Sequence, residues 1–182
     1  LEKYKENYNQ INFSVSNFFS ADLVRKKVKK KFKIITALSV FYDAADPNKF
    51  LKDVKKLLSK KGIFMLEFAD LASIIKYKMF DTICHEHLEY YSSEVIINLC
   101  NKNGLRVFDI KRNNINGASK QYYICLQNSD YQENTKIIKS ELSTEKNLKL
   151  KEVQTFKNFI KDINLSKTRL VRFIKKIKKN GK

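Results

Sequence analysis

Glycine is scarce in this chain, and its scarcity removes a class of site. Gly62, Gly104, Gly117 and Gly181 are the only glycines, and no two stand close enough to form a G-x-G loop. A glycine-lined backbone cradle for phosphates or a dinucleotide is therefore missing. Cysteine is almost as sparse. Cys84, Cys100 and Cys125 are odd in number and lack C-x-x-C spacing. That argues against a disulfide framework and suits reduced thiols in a cytoplasmic protein. Long apolar runs are missing too: "IITALSVF" and "GIFMLEF" are far too short to cross a bilayer, so no membrane partner is expected. The opening "LEKYKENY" has neither an initiator Met nor a signal-peptide core, and reads as the middle of something longer.

Positive charge is what the chain has in excess. Its formal net charge is +18, and so basic a protein can bind phosphate backbones through counterion release whatever its fold. Most of the excess is Lys, which travels with many Asn and Ile residues, as AT-rich coding produces. Nucleic-acid readers enrich Arg, whose planar fork matches phosphate and guanine. In the densest basic stretches, residues 25–33 and 167–182, apolar residues recur at helical or strand spacing, so the charges read as solvated faces. Nucleic acid is the weaker partner expectation.

Periodicity then divides the chain. "INFSV" (residues 11–15) alternates like a half-buried strand, and Ser20 reads as the N-cap of a helix with Leu23, Val24 and Val28 on one face. "FKIITALSVF" is nearly continuous and β-branched, the pattern of a buried parallel strand. Asp46 and Pro47 predict a helix start, with a stop at Gly62 before the strand "IFMLEF". A helical stretch near residues 71–77 follows. After it, Ser92 or Ser93 caps a helix closed by Gly104, and "LRVFDIKRN" and "KQYYICLQ" predict two strands around the "NNING" turn. This order indicates an α/β doubly wound sheet. Residues 132–179 read as helical, and Val153, Phe156, Ile160, Ile163, Leu170, Ile174 and Ile177 make a narrow seam suited to one neighbour.

Both histidines fall in "CHEH", as His85 and His87 around Glu86. A metal site is disfavoured, because adjacent residues cannot easily close a tetrahedron and neither H-E-x-x-H nor the deaminase pattern is present. A structural role, with one ring bonded to a backbone carbonyl, stays open, above all for His85. The third reading is proton transfer: an imidazole can remove a proton from an activated carbon, with a carboxylate orienting it.

The stretches "FYDAADPNKFLKDVKKLLSKKGIFMLEF", "FDTICHEHLEYYS", "NKNGLRVFDI" and "NNINGAS" resemble, in order and spacing, the S-adenosylmethionine-dependent C-methyltransferases, which methylate a carbon of nucleotide-linked keto-deoxysugars. The resemblance spans residues 1–127, and D-T-I-x-H-E-H-x-x-Y is its most specific part. It implies a class I methyltransferase (Rossmann-like) fold with sheet order 3-2-1-4-5-7-6. "INFSV" then maps onto strand 3, "FKIITALSV" onto strand 4 and "GIFMLEF" onto strand 5, with strands 1 and 2 missing. So are the zinc-binding N-terminal region, the glycine-rich motif and the C-terminal domain. The division implied is an incomplete catalytic domain over residues 1–128 and a helical connector over 129–182. The resemblance makes His87 the base and Glu86 its assistant. It places Asn17 and Phe18 beside the adenine of S-adenosylmethionine and Ser39 beside its methionine end. Asp43, Tyr90 and Asn116 face a small-molecule substrate, and no residue is expected to hold metal. Three departures stand out: Cys84 replaces a common Tyr, Asp43 a common His, and "NGASK" a "GGSFR"-like motif.

Two alternatives remain at this level: a basic nucleic-acid-binding module and an inactive truncated product. With strands 1 and 2 missing, strand 4 is expected at an exposed edge, with "INFSV" either pairing sideways onto it or leaving it open.

Overall fold

The computed structural model describes residues 13–181. Its strands are β1 (Phe32–Leu38), β2 (Leu58–Phe68), β3 (Leu105–Asn113) and β4 (Ser119–Leu126), in the sheet order β1-β2-β4-β3. β1 and β2 are parallel, whereas β4 runs antiparallel to both of its neighbours. This is the 4-5-7-6 part of the expected sheet, with the last strand inserted between the two before it. The helices are α1 (Ala21–Lys27), α2 (Pro47–Leu57), α3 (Leu71–Tyr77), α4 (Ser93–Lys102), α5 (Thr135–Asn147) and α6 (Val153–Lys179). None is long and apolar enough to cross a membrane.

One face of the sheet carries the core. Phe64, Leu66, Tyr122 and Ile124 point from β2 and β4 against Leu51 and Val54 of α2 and Ile96 of α4, all buried. Each such large apolar side chain contributes about 1.5–3 kcal/mol. α2 begins as its sequence requires: the Asp46 carboxylate accepts from the Lys49 N–H at 2.9 Å, and Pro47 fills the first turn. α2 ends at Leu57 and β2 starts at the next residue, so Gly62 is no helix stop. Gly62 instead admits a close strand approach, because a Cβ there would lie 2.9 Å from the Phe32 carbonyl oxygen.

Three other expectations need correction. Residues 13–15 form no strand, since β1 pairs only with β2 among the described residues and offers them no ladder. The rest of "INFSV", residues 11–12, lies outside the described residues. β1 itself is parallel but not buried on both faces. Ile34 is 69% and Leu38 50% exposed, because no described element covers that side. Residues 132–179 hold two helices, and the α6 seam packs only near its start. Phe159 is its buried residue, whereas Ile160, Leu170 and Ile174 are exposed.

Candidate active site

The carboxyl ends of β1 and β2 open onto a cavity of about 350 Å³. Three segments build its walls. A 3₁₀ turn, Phe41–Asp43, follows β1 and is anchored by the fully buried Phe41, whose ring lies 5.3 Å from Phe50 and 5.2 Å from Tyr91. The loop from Lys78 to Tyr91 wraps over this turn, and the Tyr42 carbonyl accepts from the N–H groups of Leu88 and Glu89, both at 3.1 Å. Across the opening stands Asn116, left-handed at φ 51°, whose amide donates to the Ser39 hydroxyl at 3.4 Å.

His87 lies against Tyr42, ring centroids 4.1 Å apart and inclined by 45°. The Tyr90 hydroxyl closes the "CHEH" loop by meeting the backbone N–H and carbonyl of Cys84 at 3.3 and 3.4 Å. Burial pushes the Tyr42 hydroxyl pKa up, a bond to Ser39 lowers it, and Asp43 and Cys84 add to the rise. Asp81 and Glu89 also line the cavity and reach solvent.

Beneath the loop, a buried ionic cluster fixes both of its ends. Lys120, the last residue of "NGASK", is fully buried on β4, its ammonium 2.7 Å from Asp70, 2.9 Å from Glu141 and 2.8 Å from the Ser93 hydroxyl. Asp70 caps α3, accepting from Ala72 N–H and the Ser73 hydroxyl. Arg112 donates twice to Glu141, and Glu145 accepts the N–H groups of Ser93 and Glu94 at the start of α4. The cavity loop spans from α3 to α4, so this cluster sets where it starts and stops. Among the described residues, no three His, Cys, Asp or Glu side chains gather as a metal-binding group.

The structure brings His87, Tyr90 and Asn116 together in the cavity, with Ser39 bonded at its rim. Glu86 and His85 are exposed and do not line it, and neither does the exposed Asp43. Asn17 and Phe18 lie apart: Asn17 is exposed, Phe18 is 93% exposed, and neither lines the cavity. Phe19, itself 36% exposed, rests its ring 4.7 Å from that of Phe50. Sequence reasoning missed Tyr42, Glu89 and Tyr91, while Asp81 stands out in the sequence as a carboxylate close to the two histidines. The two tyrosines sit in aromatic pairs, "FY" and "YY", which read as core. Only the motif around Tyr91 hints at more.

A methyltransferase-domain model matches residues 4–110, and a model of the C-methyltransferase C-terminal domain matches residues 114–182. The C-methyltransferase NovU of Streptomyces niveus is 32% identical over 87 residues, which cover 48% of this chain and 21% of that protein. The chain thus spans about a fifth of the length of this curated relative. PKMT2 of Rickettsia typhi, solved in complex with AdoHcy, is 14% identical with a TM-score of 0.51, covering 72% of this chain and 42% of its own. Magnesium protoporphyrin IX methyltransferase of Synechocystis, solved with bound SAH, is 12% identical with a TM-score of 0.44, covering 68% of this chain and 56% of its own.

Proposed function

Because the chain belongs to the methyltransferase-domain family, we propose that it is the acceptor-side part of an S-adenosylmethionine-dependent C-methyltransferase, with His87 as the base. The single observation that carries this is the seat of His87: its ring lies tilted against Tyr42 inside the cavity, while His85 is exposed outside it. The acceptor is a carbon next to a ketone, on a nucleotide-linked sugar or a related keto compound. His87 takes the proton from that carbon, and Tyr42 and the loop hold its ring. Glu86 does not line the cavity, so Glu89 and Asp81 are better placed to assist. S-adenosylmethionine supplies an electrophilic methyl group on a good leaving group. No glycine-rich cradle for it exists among these residues, so its main contacts belong to a longer protein of which this chain is a part.

The test is substitution in the full-length enzyme. A positioned general base contributes about 10²–10⁴-fold, so His87→Ala should remove methyl transfer to that extent while S-adenosylmethionine affinity stays nearly unchanged. His85→Ala should do less. A more damaging His85 change would show the base to be misassigned.

A further inference from the structure

Tyr91 is 5% exposed, lines the His87 cavity and sits between the rings of Phe41 and Phe68, at 5.2 and 6.0 Å. Its backbone is held by the Leu71 N–H, which donates to the Tyr91 carbonyl at 2.8 Å. Its hydroxyl, however, is the one buried side-chain polar atom without a hydrogen-bond partner among the described residues. A buried hydroxyl left unpaired is a net cost, which Phe at the same place would avoid. The neighbouring Tyr122 shows the alternative, its buried hydroxyl 3.1 Å from that of Ser93. Burial, with Glu89 adding to it, pushes the Tyr91 pKa up to about 12, so the group stays a neutral donor at physiological pH.

We infer that the Tyr91 hydroxyl is a catalytic donor that meets the carbonyl oxygen of the keto substrate while His87 works on the adjacent carbon. This rests on His87 as the base. As the carbon–hydrogen bond breaks, the proton passes to an imidazole nitrogen of His87. The bonding pair becomes a carbon–carbon double bond and drives the carbonyl π pair onto oxygen. That oxygen gains negative charge, and the Tyr91 hydrogen bond to it strengthens when it is most needed. No oxidant or reductant is involved, and the step reverses by returning the proton to carbon. A ligand oxygen also gives Tyr91 the partner that the fold withholds.

Two measurements test this. In the present chain, Tyr91→Phe should unfold at a urea midpoint equal to or above that of the parent. A lower midpoint would mean the hydroxyl already has an internal partner, such as a bound water, and would overturn the inference. In the full-length enzyme, a nucleoside-diphosphate-linked keto-deoxysugar in D₂O should take up deuterium at the carbon beside the ketone, read by proton NMR. Tyr91→Phe should slow that uptake on the order of 100-fold, and His87→Ala should abolish it. Uptake at the parent rate in Tyr91→Phe, with His87→Ala inert, would overturn the role of Tyr91 and leave His87 in place. Uptake that survives His87→Ala, or none in the parent enzyme, would overturn the underlying reading as well.

Discussion

At the residue scale, two features make separate predictions. The chain has only two histidines, so its imidazole NMR signals are few and assignable. The Tyr42 ring, 4.1 Å away, should shift the His87 ring protons upfield of those of the exposed His85. Tyr42→Leu should move them toward His85, whereas Tyr42→Phe should keep them displaced. Lys120 is the second feature. Removing one partner of a buried ion cluster costs about 3–5 kcal/mol, so Lys120→Met should lower the urea midpoint by that equivalent, leaving Asp70, Glu141 and Glu145 to repel one another. The same cluster sets a pH window. Burial alone would raise the Glu141 pKa, but Arg112 and Lys120 hold it below the usual carboxylate range. Its contribution is therefore present above that range and lost as pH falls through the lowered pKa. Burial pulls the Lys120 pKa down, yet Asp70 and Glu141 more than offset this and raise it, so its contribution is lost only as pH rises past the ordinary lysine range. The cluster's own contribution should be flat between roughly pH 5 and 10 and fall on both sides, as the difference in urea midpoint between the parent and Lys120→Met across a pH series would show.

At the element scale, helix caps and continuous apolar runs were readable because their causes are local. Asp46 followed by Pro47 determines where α2 begins, and Asp46→Ala should cost about 1 kcal/mol by urea unfolding. β3 and β4 likewise lie where their apolar runs stand, and so does β2 from Ile63 onward, although it begins at Leu58 in a stretch that reads as helix. What was not readable depends on partners distant in the chain. "FKIITALSVF" has the composition of an interior strand, yet Ile34 and Leu38 are exposed, because exposure depends on what lies over a strand and not on the strand itself. In α6 the expected seam residue Ile163 packs beside Ile74 and Met79, but Ile160 is exposed and Phe159, outside the seam, is the one buried there. Phe159→Ala should cost about 3 kcal/mol and release amide protection in the first half of α6. Ile174→Ala should stay within about 0.5 kcal/mol. In the site, His87 was legible from its motif, whereas Tyr42 and Tyr91 were not, because an aromatic pair looks the same in a sequence whether it fills a core or walls a cavity.

At the scale of the whole molecule, the scarcity of glycine bears on cofactor binding and the exposed side of β1 on self-association. No pair of glycines forms a loop that would hold S-adenosylmethionine, so calorimetry of this chain alone should give binding weaker than micromolar, if any. Micromolar affinity would contradict this. The side of β1 that no described residue covers should make the chain self-associate with rising concentration, and Ile34→Lys with Leu38→Lys should return it to a monomer in sedimentation velocity. The inserted position of β4 governs assembly order. Among the described residues β2 meets β1 and β4, and β3 meets only β4, so until Leu126 has left the ribosome this sheet exists as two unjoined parts. β3 must wait with both edges open, and the strand that joins the halves pairs Phe64 with Ile124, distant in the chain. Contacts between such distant residues form slowly, and any delay in synthesis before Leu126 prolongs the interval in which the half-made sheet is exposed to aggregation.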